Sequence, residues 1–82
     1  MDETRYEKIG EVNGRWKAEI IESFLEAEGI EVELFQESIT HYLYKGPFDP
    51  VQIYVPNRKA IKARELLKSF DEFEPEEDDK GE

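Results

Sequence analysis

The chain has 82 residues, no cysteine and a formal net charge of −10. That length holds one small domain, and the missing thiols exclude disulfides and thiolate metal sites. The opening MDETRYEK is charged from its second residue and does not read as a secretory signal. No apolar run approaches the roughly 20 residues of a membrane span, so the expected location is the cytoplasm.

The charge is unevenly spread. Residues 71–82 hold eight acids and one lysine, a net of −7, which leaves 13 acids and 10 bases, a net of −3, in residues 1–70. The expected organisation is therefore a nearly balanced domain over 1–70 and an acidic, disordered tail over 71–82 that aids solubility.

In chain order, Tyr6 to Val12 reads as a strand, although Tyr6, Ile9 and Val12 do not keep a period of two. Gly10 marks a bulge or a close approach of the first helix. Asn13 is a candidate N-cap for that helix. Trp16, Ile20, Ile21, Phe24 and Leu25 follow at helical spacing and are assigned to the core. Gly29 supplies a positive-φ stop. The period then changes to two, with Ile30, Val32 and Leu34 on one side and Glu31, Glu33 and Phe35 on the other.

Glu37 to Pro50 is unusually apolar for a connection, with Ile39, Tyr42, Leu43, Tyr44 and Phe48. Lys45-Gly46-Pro47 and Asp49-Pro50 are its turn signals. Two readings stand: a loop folded back over the sheet, or an arm that contacts a partner. Val51 to Val55 is the next strand, with Val51, Ile53 and Val55 on the core side. Pro56 ends it and Asn57 is placed as the cap of a second helix running to about Phe70.

That second helix is expected to bury Ala60, Ala63, Leu67 and Phe70, with Leu66 on the flank. Its outer side is basic, with Arg58, Lys59, Lys62, Arg64 and Lys68 against Glu65. The first helix is acidic, with Glu19, Glu22, Glu26 and Glu28 against Lys17. Phe73 suits the anchor of a short fourth strand at 72–74, stopped by Pro75.

The order is that of a ferredoxin-like α+β sandwich, β-α-β-β-α(-β), with two helices on one face of a small antiparallel sheet. With the first and third strands expected parallel at its centre, both helix N-termini would open at one edge. Asn13, Gly14 and Arg15 would then meet Asn57, Arg58 and Lys59 as an anion site for phosphate or carboxylate. The opposite sheet face would carry Phe35 and Tyr54, with Tyr6 and Tyr42 as neighbours. With Ile39, Leu43, Tyr44 and Phe48 of the connection, these aromatics form the expected interaction surface, and a homodimer is one expected use of it.

Catalysis finds little support. His41 is the sole histidine and has only Ser38 and Thr40 beside it. There is no glycine-rich phosphate loop and no metal-ligand spacing, so no enzyme activity and no cofactor are expected. An RNA-recognition reading rests on Lys45, Gly46, Phe48 and Tyr54 in KGPFDPVQIYV. Pro47 and Asp49 interrupt that motif, and the acidic balance opposes phosphate.

Ala18, Leu25, Gly29 and Ile30 in AEIIESFLEAEGIEV, IYVP at Ile53 to Pro56, and Ala63 with Leu66-Leu67 in KARELL carry a resemblance. Over about residues 6–70 the chain resembles a small uncharacterised prokaryotic family of putative signal-transducing proteins. The resemblance implies a ferredoxin-like domain similar to the PII signalling proteins and supplies no catalytic residue. In PII-like proteins the connection between the second and third strands is the regulatory loop, here Glu37 to Pro50. The expected function is a non-enzymatic binding or regulatory module, working through that loop, the open sheet face or the anion edge, on a protein partner or a small anion. The alternative is a purely structural, self-associating protein.

Overall fold

The computed structural model describes residues 5–36, 50–71 and 73–75. Strand β1 (Tyr6–Asn13) is followed by helix α1 (Arg15–Ala27), strands β2 (Glu33–Phe35) and β3 (Pro50–Pro56), helix α2 (Ala60–Leu66) and strand β4 (Glu74–Pro75). Single 3-10 turns, Asn57–Lys59 and Leu67–Ser69, flank α2. The strands form one sheet in the order β2-β3-β1-β4, and every pairing is antiparallel. Both helices rest on one side of it, an α+β fold. No helix among the described residues is long and apolar enough to cross a membrane.

The core is what the alternating strands and the helix stripes place between the layers. Ile9 and Val12 come from β1, Ile30 and Val32 precede β2, and Val51, Ile53 and Val55 line β3. Ala18, Ile21 and Leu25 of α1 and Ala60, Ala63 and Leu67 of the second helical segment press onto them. Burying an Ile or Leu fully contributes about 1.5–3 kcal/mol, and no polar side chain among the described residues is buried with them.

The irregular period of β1 has a physical cause. Its register against β3 shifts between Lys8 and Gly10, so Ile9 is an extra residue and turns inward out of phase. Gly10 sits at this bulge, but the group that approaches it is Phe73, not a helix: a Cβ there would stand 2.3 Å from Phe73 Cζ and 2.5 Å from the Glu74 carbonyl. Phe73 is buried in the core, and Glu74 and Pro75 pair with Glu11 and Gly10. The fourth strand forms, over Glu74–Pro75.

The end of α1 follows the Schellman pattern. Gly29 has φ 85°. Its N–H donates to Glu26 at 3.0 Å, and the N–H of Ile30 donates to Leu25 at 3.0 Å. Leu25 and Ile30 are both in the core, so the apolar contact that accompanies this cap is present. Lys59 Nζ donates to the Gly29 carbonyl at 2.8 Å, tying this turn to the start of the second helical segment.

Several expectations are corrected. Gly14, at φ 107°, occupies the N-cap of α1, and no side chain caps the helix. Asn57 is likewise not a cap; its backbone N–H donates to the Arg5 carbonyl at 2.8 Å, joining β3 to the start of β1. Trp16 and Ile20 are not core: they are 55% and 52% exposed. Helical residues advance about 100° each, so Trp16 and Leu25 lie roughly 180° apart on α1. One sheet cannot cover that arc, and Leu25, with Ile21 and Ala18, takes the buried side.

The expected parallel pairing of the first and third strands is also overturned. Tyr6 stands opposite Pro56 and Asn13 opposite Pro50, so β1 and β3 run in opposite senses. Asn13-Gly14-Arg15 therefore lies at one end of the sheet and Asn57-Arg58-Lys59 at the other. Seven strand steps separate the ends, roughly 23 Å. The two triplets do not form a joint anion site.

Candidate functional site

Directly opposed residues in an antiparallel pair project to the same face. The register therefore spells out the face that carries no helix. One row across it is Phe35, Gln52, Glu11 and Glu74; the next is Glu33, Tyr54 and Lys8. Tyr6 is two positions further along β1, and its hydroxyl donates to Glu31 Oε1 at 3.1 Å. Loss of hydration holds the Tyr6 phenol above its ordinary value, and the hydrogen bond to Glu31 and the charges of Glu31 and Glu33 act in the same direction. It stays a donor at physiological pH.

Phe35 is 52% exposed on this face, and Tyr54 is partly exposed. Of the expected interaction surface, Phe35 and Tyr54 thus lie on this face, and Tyr6, expected as a neighbour, lies on it too. Acids surround them: Glu11, Glu31, Glu33 and Glu74 against Lys8, which lies 3.8 Å from Glu11. The face carries aromatic and acidic side chains together and is not simply aromatic. Ile39, Tyr42, Leu43, Tyr44 and Phe48 of that surface, and His41, lie outside the described residues. Next to the connection, Gln36 follows Phe35, and Pro50 stands opposite Asn13 of β1.

Two of the three expected cations are otherwise engaged. Arg15 Nε lies 3.4 Å from Glu19 Oε2, and Lys59 Nζ is on the Gly29 carbonyl. No group of three or more His, Cys, Asp or Glu among the described residues could hold a metal ion.

A second surface was missed in the sequence because its residues were assigned to the core. Trp16 and Ile20 stand over a groove of about 240 Å³ whose floor is Val12, Ile21 and Phe73 and whose far wall is Phe70, with Lys17 and Asp71 on the rim. Phe24 meets Phe70, with ring centroids 5.2 Å apart. Lys17 Nζ sits 5.5 Å from the Trp16 ring centre, a cation–π contact at an exposed site. The signal was present in the width of the α1 stripe, which was too broad for one buried face.

No curated protein and no solved structure matches the chain. A family model does, over residues 6–71. This span takes in β1 through the turn after α2, including both helices and the inner strands. The chain belongs to the family described as "Putative prokaryotic signal transducing protein".

Proposed function

We propose that the chain is a non-enzymatic regulatory module of the cytoplasm that binds a protein partner on the helix-free face of its sheet. The observation that carries this reading is Phe35, half exposed on the edge strand of the sheet, opposite Gln52 and beside the row of Tyr54. A large aromatic on an uncovered sheet face is a contact anchor when polar groups ring it. The acids around it suit a partner with Lys or Arg at its rim. Element order and strand order both fit the ferredoxin-like arrangement, and the family's description supports a signalling role. In this reading the resemblance to PII-like proteins makes the 37–50 connection a candidate regulatory segment.

The test is a photo-crosslinking amino acid placed at Phe35, with the same group at Glu65 on the outer side of α2 as control, in the native cells. A single heterologous adduct at 35 and none at 65 is the expected result. An adduct between two copies of the chain would favour the structural, self-associating alternative, and no adduct at 35 would end the reading. A thermal-shift screen with nucleotides and metabolites separates a small-ligand regulator from a protein-binding one.

A further inference from the structure

On the outward side of α1, Trp16, Ile20, Ser23 and Ala27 are spaced four, three and four residues apart, and all four are exposed. At about 100° per residue this spacing keeps them on one line along the helix. It is the spacing by which a helix presents an uncharged seam to another helix. Large residues occupy the first half of the seam and small ones the second. The sheet side of α1 is already filled by Ala18, Ile21 and Leu25, so this line is not what seats the helix on the sheet.

The two flanks of the seam differ. On one side lie Glu19 and Glu26, with Glu22 beyond them. Arg15 is the one cation there, at 3.4 Å from Glu19, so this flank has a net charge of −2. The acids repel one another: Glu22 is held above its ordinary pKa by partial burial first, then by Glu26 and Glu19. On the other side lies the apolar groove between Ile20 and Phe70, with Phe73 beneath. About 240 Å³ is below the roughly 300–1,000 Å³ typical of sites for small molecules and suits inserted side chains.

We infer that α1 is a docking rail for a cationic amphipathic helix of a partner protein. Its apolar side lies along Trp16, Ile20, Ser23 and Ala27, one large apolar side chain enters the groove against Phe70 and Phe73, and its Lys or Arg residues face Glu19 and Glu26. Charge argues against a second copy as the occupant. Two α1 helices packed antiparallel along this seam would set Glu19 and Glu26 of one against the same acids of the other, in a chain of net charge −10.

The test uses the full chain and a synthetic helical peptide with Leu at four-three-four spacing and Lys on its flanks. Controls are the same peptide scrambled and a version with Glu in place of Lys. Trp16 is the sole tryptophan, so its emission reports the seam directly. The expected result is a saturable blue shift, an affinity at least tenfold above that of the scrambled peptide, and weakening with added salt. Ile20→Ser should reduce binding at least tenfold with an unchanged circular dichroism spectrum, and Phe35→Ser should leave it as it was. The double reversal Glu19→Lys with Glu26→Lys should transfer preference to the Glu-flanked peptide.

Equal binding of the scrambled peptide would overturn the inference, as would loss of binding in Phe35→Ser. So would an unchanged preference after charge reversal. Self-association of the chain in sedimentation that Ile20→Ser abolishes would assign the seam to a second copy and overturn it too.

Discussion

Replacing Gly10 by alanine tests how the sheet is closed. Gly→Ala at a site with open space and ordinary backbone stabilises a protein by about 0.4–1 kcal/mol, because the unfolded chain loses freedom. At Gly10 the sign should reverse. The new methyl would stand 2.3 Å and 2.6 Å from Phe73 Cζ and Cε1, and 2.5 Å from the Glu74 carbonyl oxygen. Ordinary carbon contacts are about 3.5–4.0 Å. Rotating the phenyl ring cannot relieve the contact with a backbone oxygen, so β4 must move away. Phe73 then loses most of its burial, about 1.5–3 kcal/mol, and the short β4 ladder weakens by about 1 kcal/mol. The expected loss is about 2–4 kcal/mol. A chain of this size has a stability of about 4–12 kcal/mol in all, so the urea midpoint should fall visibly. Phe73→Ala should make the same alanine at position 10 cheaper, giving a non-additive double-mutant cycle. A Gly10→Ala protein within 0.5 kcal/mol of the parent would refute the idea that Phe73 against this glycine holds β4 in place.

Glu22→Gln should stabilise the protein at pH 7. Burial and the neighbouring acids raise the folded-state pKa of Glu22 above the ordinary 4.5, so the folded form binds the proton more tightly than the unfolded one. Its contribution is complete below about 4.5 and is lost as pH rises through the raised value; urea midpoints of the two proteins should coincide at pH 3 and separate above that window. Gly29→Ala, in open space but at φ 85°, should cost about 1 kcal/mol through backbone strain alone, and Gly29→Asn less. Arg64 Nη2 is 2.9 Å from Glu7 Oε2, with the two side chains 24% and 32% exposed, and Arg64 Nε is buried without a partner among the described residues. Glu7→Ala should therefore cost about 1–3 kcal/mol by thermal unfolding, and Arg64→Met less, since it removes the guanidinium instead of stranding it.

Much of the fold was legible because local chemistry and tertiary role agreed. Gly29 ends α1 as a positive-φ cap, Val51, Ile53 and Val55 line the inner face of β3, and Phe73 anchors β4. Where several roles fit the same residues, the sequence misled. Asn13 and Asn57 are good caps by type, but a glycine and a strand-to-strand hydrogen bond take those places. The apolar residues of α1 spread over about 180°, and nothing local says which part of such an arc meets the sheet. The choice falls to volume: Ala18 allows close approach where Trp16 does not. Strand direction lay beyond local signals as well, because a strand's alternation is the same whichever way its neighbour runs. The proposed anion edge was lost to that one inversion of β3, while Phe35 and Tyr54 kept their face, since alternation does not depend on direction.

The contact between Gly10 and Phe73 joins positions 63 residues apart. During synthesis β1 emerges first and must wait for β3 and then for β4 before both of its sides are paired. A nascent chain that has not yet exposed Phe73 carries an uncovered β1 edge and a core lacking one wall. Such a chain offers its neighbours on a crowded polysome an open strand. The last aromatic therefore acts as a latch, and the time between the emergence of β1 and the arrival of Phe73 is the interval in which the chain is most open to misassembly.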